Sequence, residues 1–143
     1  SVSAAGNISF TLTSDTGTST SSTTISATIT STSDLTSLAN AINAESGTTG
    51  IQATISDSGA SITLISENGD DIVIEGFLNS GGGTAAVNVR DYANENTNET
   101  VTLTSGGTNS TRVMGEIQLS STNAFSVTAA DAVLNDAATT ETG

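Results

Sequence analysis

Apolar and polar residues alternate at the start of the chain. Ile8, Phe10 and Leu12 are separated by Ser9 and Thr11, the period of two of a half-buried strand. Asp15, Thr16 and Gly17 supply turn chemistry, and the polar tract Thr18 to Thr24 widens the connection. Ile25, Ala27 and Ile29 then alternate with Ser26, Thr28 and Thr30, so the two runs predict a hairpin. The period changes at Leu35. Leu35, Leu38, Ala39 and Ile42 fall at helical spacing and predict one helix over about 34–46, with Ala41 and Ala44 on its flanks. Ser33 is the expected N-cap, Asp34 puts a carboxylate at the positive helix end, and Gly47 is the expected left-handed terminator. Alternation returns in Ile51, Ala53 and Ile55 and, after Asp57-Ser58-Gly59, in Ile62 and Leu64. Asn68-Gly69 suits a tight hairpin turn, lengthened by Asp70 and Asp71, and Ile72 and Ile74 close the unit near Phe77.

The pattern predicts a mostly β (α+β) fold. Residues 1–78 form a β-β-α-β-β-β unit, an antiparallel sheet of short strands with one helix packed on it. Residues 79–143 form a second β-rich part, either continuous with the first or a separate small subdomain. Ser80 to Gly83 reads as a flexible linker or long turn between them. Val87 and Val89 suggest a strand, Asp91 to Thr100 a polar loop around Tyr92, and Val101 and Leu103 another strand before the Gly106-Gly107 turn. Val113, Ile117 and Leu119 suggest a further strand broken at Gly115, and Phe125 and Val127 a last one. Ala129 to Ala138 reads as a helical turn or an ordered tail that buries Val133 and Leu134.

Composition narrows the chemistry. Serine and threonine make up 49 of the 143 residues. Ile, Leu, Val and Phe number 30, just above the ~20% below which a charged chain tends to stay disordered. The core must be thin. Fifteen acids against Arg90 and Arg112 give a net charge of −13, which repels nucleic-acid phosphate and anionic lipid. No run approaches the ~20 apolar residues of a membrane span. With no His, Cys or Lys there is no imidazole base, thiolate nucleophile, disulfide or Schiff base. Ser1 and Gly143 are expected to be cut points in a longer protein.

The stretch from Asp34 to Ile74 resembles the flagellin hook IN motif, found in the outer domains of bacterial flagellins and hook-associated proteins. The resemblance rests on Leu38-Ala39, Ala41-Ile42-Asn43, Gly50-Ile51 with Ala53, Ile62-Thr63-Leu64, and Gly69 before Ile72. A weaker likeness joins Gly115 to Ser121, with Ala124 to Val127, to strands near the end of many flagellin variable regions. The family's long terminal heptad segments, which build the filament core, have no counterpart between Ser1 and Gly143. The resemblance therefore implies the surface-exposed, variable outer region of a flagellin, extracellular on the filament and non-catalytic. Its subunits would meet through segments outside this stretch, with surface glycans and antibodies as further partners. A domain of a hook-associated or filament-cap protein, or a glycan-binding adhesin-like module using Tyr92, is the alternative.

No catalytic, cofactor-binding or metal-ligating residue is singled out. Glu67, Asp70, Asp71 and Glu75 are the densest acid cluster, and a solvated turn accounts for them. They lack the register of a calcium loop, and paired-carboxylate catalysis would need a defined separation. Phe10, Phe77 and Phe125 fit strand alternation and so core packing. Three Asn-x-Ser/Thr sequences, at Asn7, Asn98 and Asn109, are no more than this composition yields by chance. O-linked sugars on Thr18 to Thr24 or Thr108 to Thr111 are plausible by resemblance alone. One of the two arginines is expected to meet an acid across a strand pair.

Overall fold

The computed structural model describes residues 1–90 and 96–115. Strands β1 (Gly6–Asp15) and β2 (Thr20–Ile29) are followed by helices α1 (Thr36–Ala44) and α2 (Ser46–Thr49). Then come β3 (Ile51–Ile55), β4 (Ile62–Ser66), β5 (Asp71–Asn79), β6 (Thr84–Arg90), β7 (Asn96–Thr104) and β8 (Thr111–Val113). The fold is mostly β, and the strands that pair do so antiparallel. They divide among a four-stranded sheet in the order β2-β1-β5-β8 and two two-stranded sheets, β3-β4 and β6-β7.

The first hairpin forms as expected and is longer than its apolar residues. Thr20 to Thr24 belong to β2 and pair with β1, so the connecting loop shrinks to Thr16–Ser19. The register puts Phe10 opposite Ile25 and Ile8 opposite Ala27, and Ile8, Phe10, Leu12, Ile25 and Ile29 are all buried. β5 pairs with the other edge of β1, placing Ile74 opposite Leu12. Between Ser9 and Thr11 the register slips by one residue, and Gly76 lies there with φ +65°. This bulge changes the parity of β5, so that Ile74 and then Phe77 both face inward.

The helix lies on this core. Leu35, Leu38, Ala39 and Ile42 are between 1% and 7% exposed, and burying each large aliphatic side chain contributes about 1.5–3 kcal/mol. Its ends differ from the pattern's expectation. α1 starts at Thr36, with Leu35 rather than Ser33 in the cap position. Leu35 is held there because its N–H donates to Gly59 O (2.9 Å), while Asp34 Oδ1 accepts from the Thr36 N–H (3.0 Å) in place of a serine cap. Ser33 Oγ instead hydrogen-bonds Ser31 Oγ. The single helix is two pieces, α1 and α2, and the left-handed terminator is Gly50 (φ +67°), not Gly47, which lies inside α2.

Asn68-Gly69 is a turn, but not a hairpin turn. β4 pairs with β3 and β5 with β1, so these residues carry the chain from one sheet to the next. Asn96 to Thr100, expected in a loop, belong to β7, where Thr100 pairs with Asn88 and Val101 with Val87. Tyr92 and the rest of 91–95 lie outside the described residues, as do the strands and tail expected from Ile117, Leu119, Phe125, Val127, Val133 and Leu134.

Ser80 to Gly83 is packed rather than free. Asn79 is buried. Its Nδ2 donates to Ala4 O (3.0 Å), and its Oδ1 accepts from the Gly81 N–H (2.9 Å). A Cβ on Gly81 would lie 1.8 Å from Ala5 O. Residues 1–3 run beside β6, with Val2 bridged to Ala85 and the Ser3 N–H donating to Thr84 O (2.9 Å). Leu103 from β7 is buried in the same core as Ile8 and Phe77.

Candidate functional site

Of the acids singled out by sequence, Glu67, Asp70 and Asp71 each meet a partner of their own. Asp15 and Asp71 stand directly opposite one another across β1 and β5, an arrangement that destabilises a sheet when both are charged and unbridged. Arg112, opposite Val73 on β8, resolves it. Its Nη2 donates to Asp15 Oδ2 (2.6 Å) and its Nε to Asp71 Oδ2 (2.8 Å). This is the expected arginine pair across strands. The other oxygen of Asp71 accepts from the Gly115 N–H (2.8 Å). That backbone hydrogen bond first, and the Arg112 contact second, hold the Asp71 carboxyl below its ordinary range. Arg112 is held more firmly protonated, chiefly by Asp71.

Asp70 accepts from Ser14 Oγ (3.0 Å), its own N–H donates to Ser66 Oγ (3.0 Å), and Glu67 accepts from Gln52 Nε2. Glu75 is exposed on β5. Glu67, Asp70 and Asp71 brace turns and strand ends. Among the described residues no group of three or more metal-ligating side chains could hold an ion, and no helix is long and apolar enough to cross a membrane. Phe10 and Phe77 are buried core residues; Phe125 lies outside the described residues. Asn7 is exposed and accepts from Thr28 Oγ1 (2.9 Å).

The most specific geometry lies between the helix and β3. Asn43 Nδ2 donates to Ala53 O (2.9 Å), and the Ala53 N–H donates to Asn43 Oδ1 (2.7 Å). One side-chain amide thus substitutes for a neighbouring strand along the open edge of β3. Ser37 Oγ donates to Thr28 O (2.8 Å) and Thr23 Oγ1 to Glu45 Oε2 (3.2 Å), tying the same helix to β2. The sequence pattern gives Asn43 no role, although its place one residue after the stripe residue Ile42 was a usable signal. Asn79 was likewise missed; an amide beside a glycine run hints at backbone capture.

Residues 7–68 match the family model of the flagellin hook IN motif. Over these residues the chain is similar to the flagellin hook IN motif. The matched region begins in β1 and ends just beyond β4, so it takes in the first hairpin, both helices and the Asn43–Ala53 contact. The resemblance visible in the sequence runs from Asp34 to Ile74, whereas the match begins earlier, at residue 7, and ends at 68. The weaker likeness over 115–127 falls outside the match and, beyond Gly115, outside the described residues. Neither the comparison with curated proteins nor that with solved structures gives a match. Flagellins are a structural, non-catalytic family whose members assemble with other flagellin subunits into the extracellular flagellar filament.

Proposed function

We propose that this chain is the surface-exposed outer region of a flagellin, displayed on the filament and serving motility as a passive coat. The IN motif over residues 7–68 carries the reading. The outer face of the first hairpin supports it: Thr24, Ser26 and Thr28 are exposed, opposite Thr11, Ser9 and Asn7, a hydroxyl-rich and uncharged surface suited to contact with water. A net charge of −13 keeps a densely repeated surface soluble and discourages neighbouring filaments from sticking. A thin core and the absence of Cys suit a subunit exported unfolded. In this proposal the subunits polymerise through segments other than these 143 residues, which contribute no catalysis and meet glycans or antibodies only from outside. In-frame removal of residues 1–143 from the flagellin tests this. Filaments should still assemble and rotate, whereas export of the shortened subunit without any filament would overturn the proposal.

A further inference from the structure

Asn68 and Gly69 carry the chain from β4 to β5, and both are exposed. Of the twelve asparagines in the chain, Asn68 alone precedes a glycine. Gly69 has no side chain to shield its nitrogen, takes φ +73°, and has open space around it, since even an added Cβ would meet nothing within 4 Å. Its N–H reaches Ser66 O across 3.3 Å, longer than the ~2.7–3.2 Å of a firm N–H···O bond. Among the described residues none hydrogen-bonds the Asn68 side chain. Asn43 and Asn79, which also precede small residues, differ: both ends of each amide are held, by Ala53 in one case and by Ala4 and Gly81 in the other.

We propose that the Asn68-Gly69 turn is a site of self-modification in the folded chain, where Asn68 is converted to aspartate and isoaspartate through a cyclic imide. The Gly69 nitrogen attacks Asn68 Cγ and closes a five-membered ring. The bond from Cγ to the side-chain nitrogen breaks, and that nitrogen leaves as ammonia with the proton from the Gly69 N–H. Water then opens the ring at either carbonyl. Cleavage at Cγ gives aspartate, and cleavage at the Asn68 main-chain carbonyl gives isoaspartate, with one more methylene in the backbone. Water enters, ammonia leaves, and nothing is oxidised or reduced.

Both products change this corner of the fold. The new carboxylate joins Glu67, Asp70 and Asp71, adding like charge to a chain already at −13. The extra methylene of isoaspartate lies next to a tight contact, because Gly69 O packs on Gly115, where a Cβ would lie 1.9 Å from it. The Gly115 N–H is in turn tied to Asp71 Oδ1, so lengthening the turn loosens the partner of that carboxylate.

The test incubates the full folded chain in mildly alkaline buffer made with water enriched in the heavy oxygen isotope, followed by digestion and mass spectrometry at intervals. The peptide holding Asn68 should lose ammonia, take up one heavy oxygen and split into an aspartate and an isoaspartate form. Peptides holding Asn43 and Asn79 should stay intact. In urea the Asn79 peptide should convert as well, because unfolding releases its amide. Asn68→Gln, whose longer side chain closes such a ring poorly, should abolish the change and with it the acidic shift of one charge on isoelectric focusing. A folded chain whose Asn68 peptide is unchanged, or converts no faster than that of Asn79, would overturn the proposal. So would aspartate without isoaspartate, since direct hydrolysis passes through no ring.

Discussion

Asn43 and Ala53 are joined by a pair of hydrogen bonds, 2.9 and 2.7 Å, in which a helix side chain completes the edge of a strand. Both partners on Ala53 are backbone groups, and a part-buried backbone group without a partner costs about 1–3 kcal/mol. Asn43→Ala should therefore lower stability by about 1–3 kcal/mol in urea titration. Asn43→Asp should also destabilise at neutral pH, since a carboxylate would face the Ala53 carbonyl, and its deficit should shrink on acidification as the carboxyl regains a donor. An Asn43→Ala chain as stable as the parent would show that the contact does not hold the helix to β3.

The glycine turn after β5 offers a test of packing against flexibility. Gly81→Ala should cost about 1–3 kcal/mol through overpacking, because the added Cβ meets Ala5 O at 1.8 Å. Gly47→Ala should be neutral or stabilise by up to about 1 kcal/mol, because it lies in α2 with nothing within 4 Å. A flexible linker would tolerate the first change as easily as the second. Thermal melts of both variants decide between these outcomes.

These two sites show what was legible in the sequence. Element types came through because Ile8-Phe10-Leu12 and Leu35-Leu38-Ala39-Ile42 carry unambiguous periods, and the buried face of α1 is the one the stripe marks. Beyond the first hairpin, sheet membership did not come through. Which strands pair depends on contacts distant in sequence, such as β5 returning to β1 past the Asn68-Gly69 turn. Polar side chains that capture backbone, Asn43 and Asn79, left only a faint trace in the sequence because Ala53 and Ala4, which they capture, are distant along the chain. Ser33 offered better cap chemistry than Leu35, but burial of Leu35 and its hydrogen bond to Gly59 decided where the helix begins. The Arg112 pairing could be anticipated in kind, because only two cations face fifteen acids.

Acid should loosen the Asp15–Arg112–Asp71 bridge. The folded-state titration of Asp71 is depressed, so its stabilisation is fully present above the unfolded carboxyl value of about 3.9 and is lost as pH falls through the lower folded value. The melting temperature of the native chain should thus exceed that of Arg112→Gln at neutral pH, with the gap closing toward about pH 2. A gap that is constant with pH would contradict the bridge.

Salt should stabilise the folded chain. Acids outnumber cations fifteen to two, so self-repulsion opposes the compact state, and screening it between about 20 and 300 mM NaCl should raise the melting temperature. The Arg112 pairs weaken under the same conditions, but an exposed pair contributes little. A melting temperature that is flat or falls with salt would mean that self-repulsion does not govern this surface.

In the proposed function this IN-motif unit stands on the outside of a flagellar filament. Gold-labelled Fab fragments raised against the folded 143-residue chain, applied to intact native filaments and viewed by electron microscopy, test it most directly. Dense decoration along the whole filament length is the expected result. Bare filaments whose dissociated subunits still bind the same Fab, or decoration confined to the hook or the tip, would contradict it.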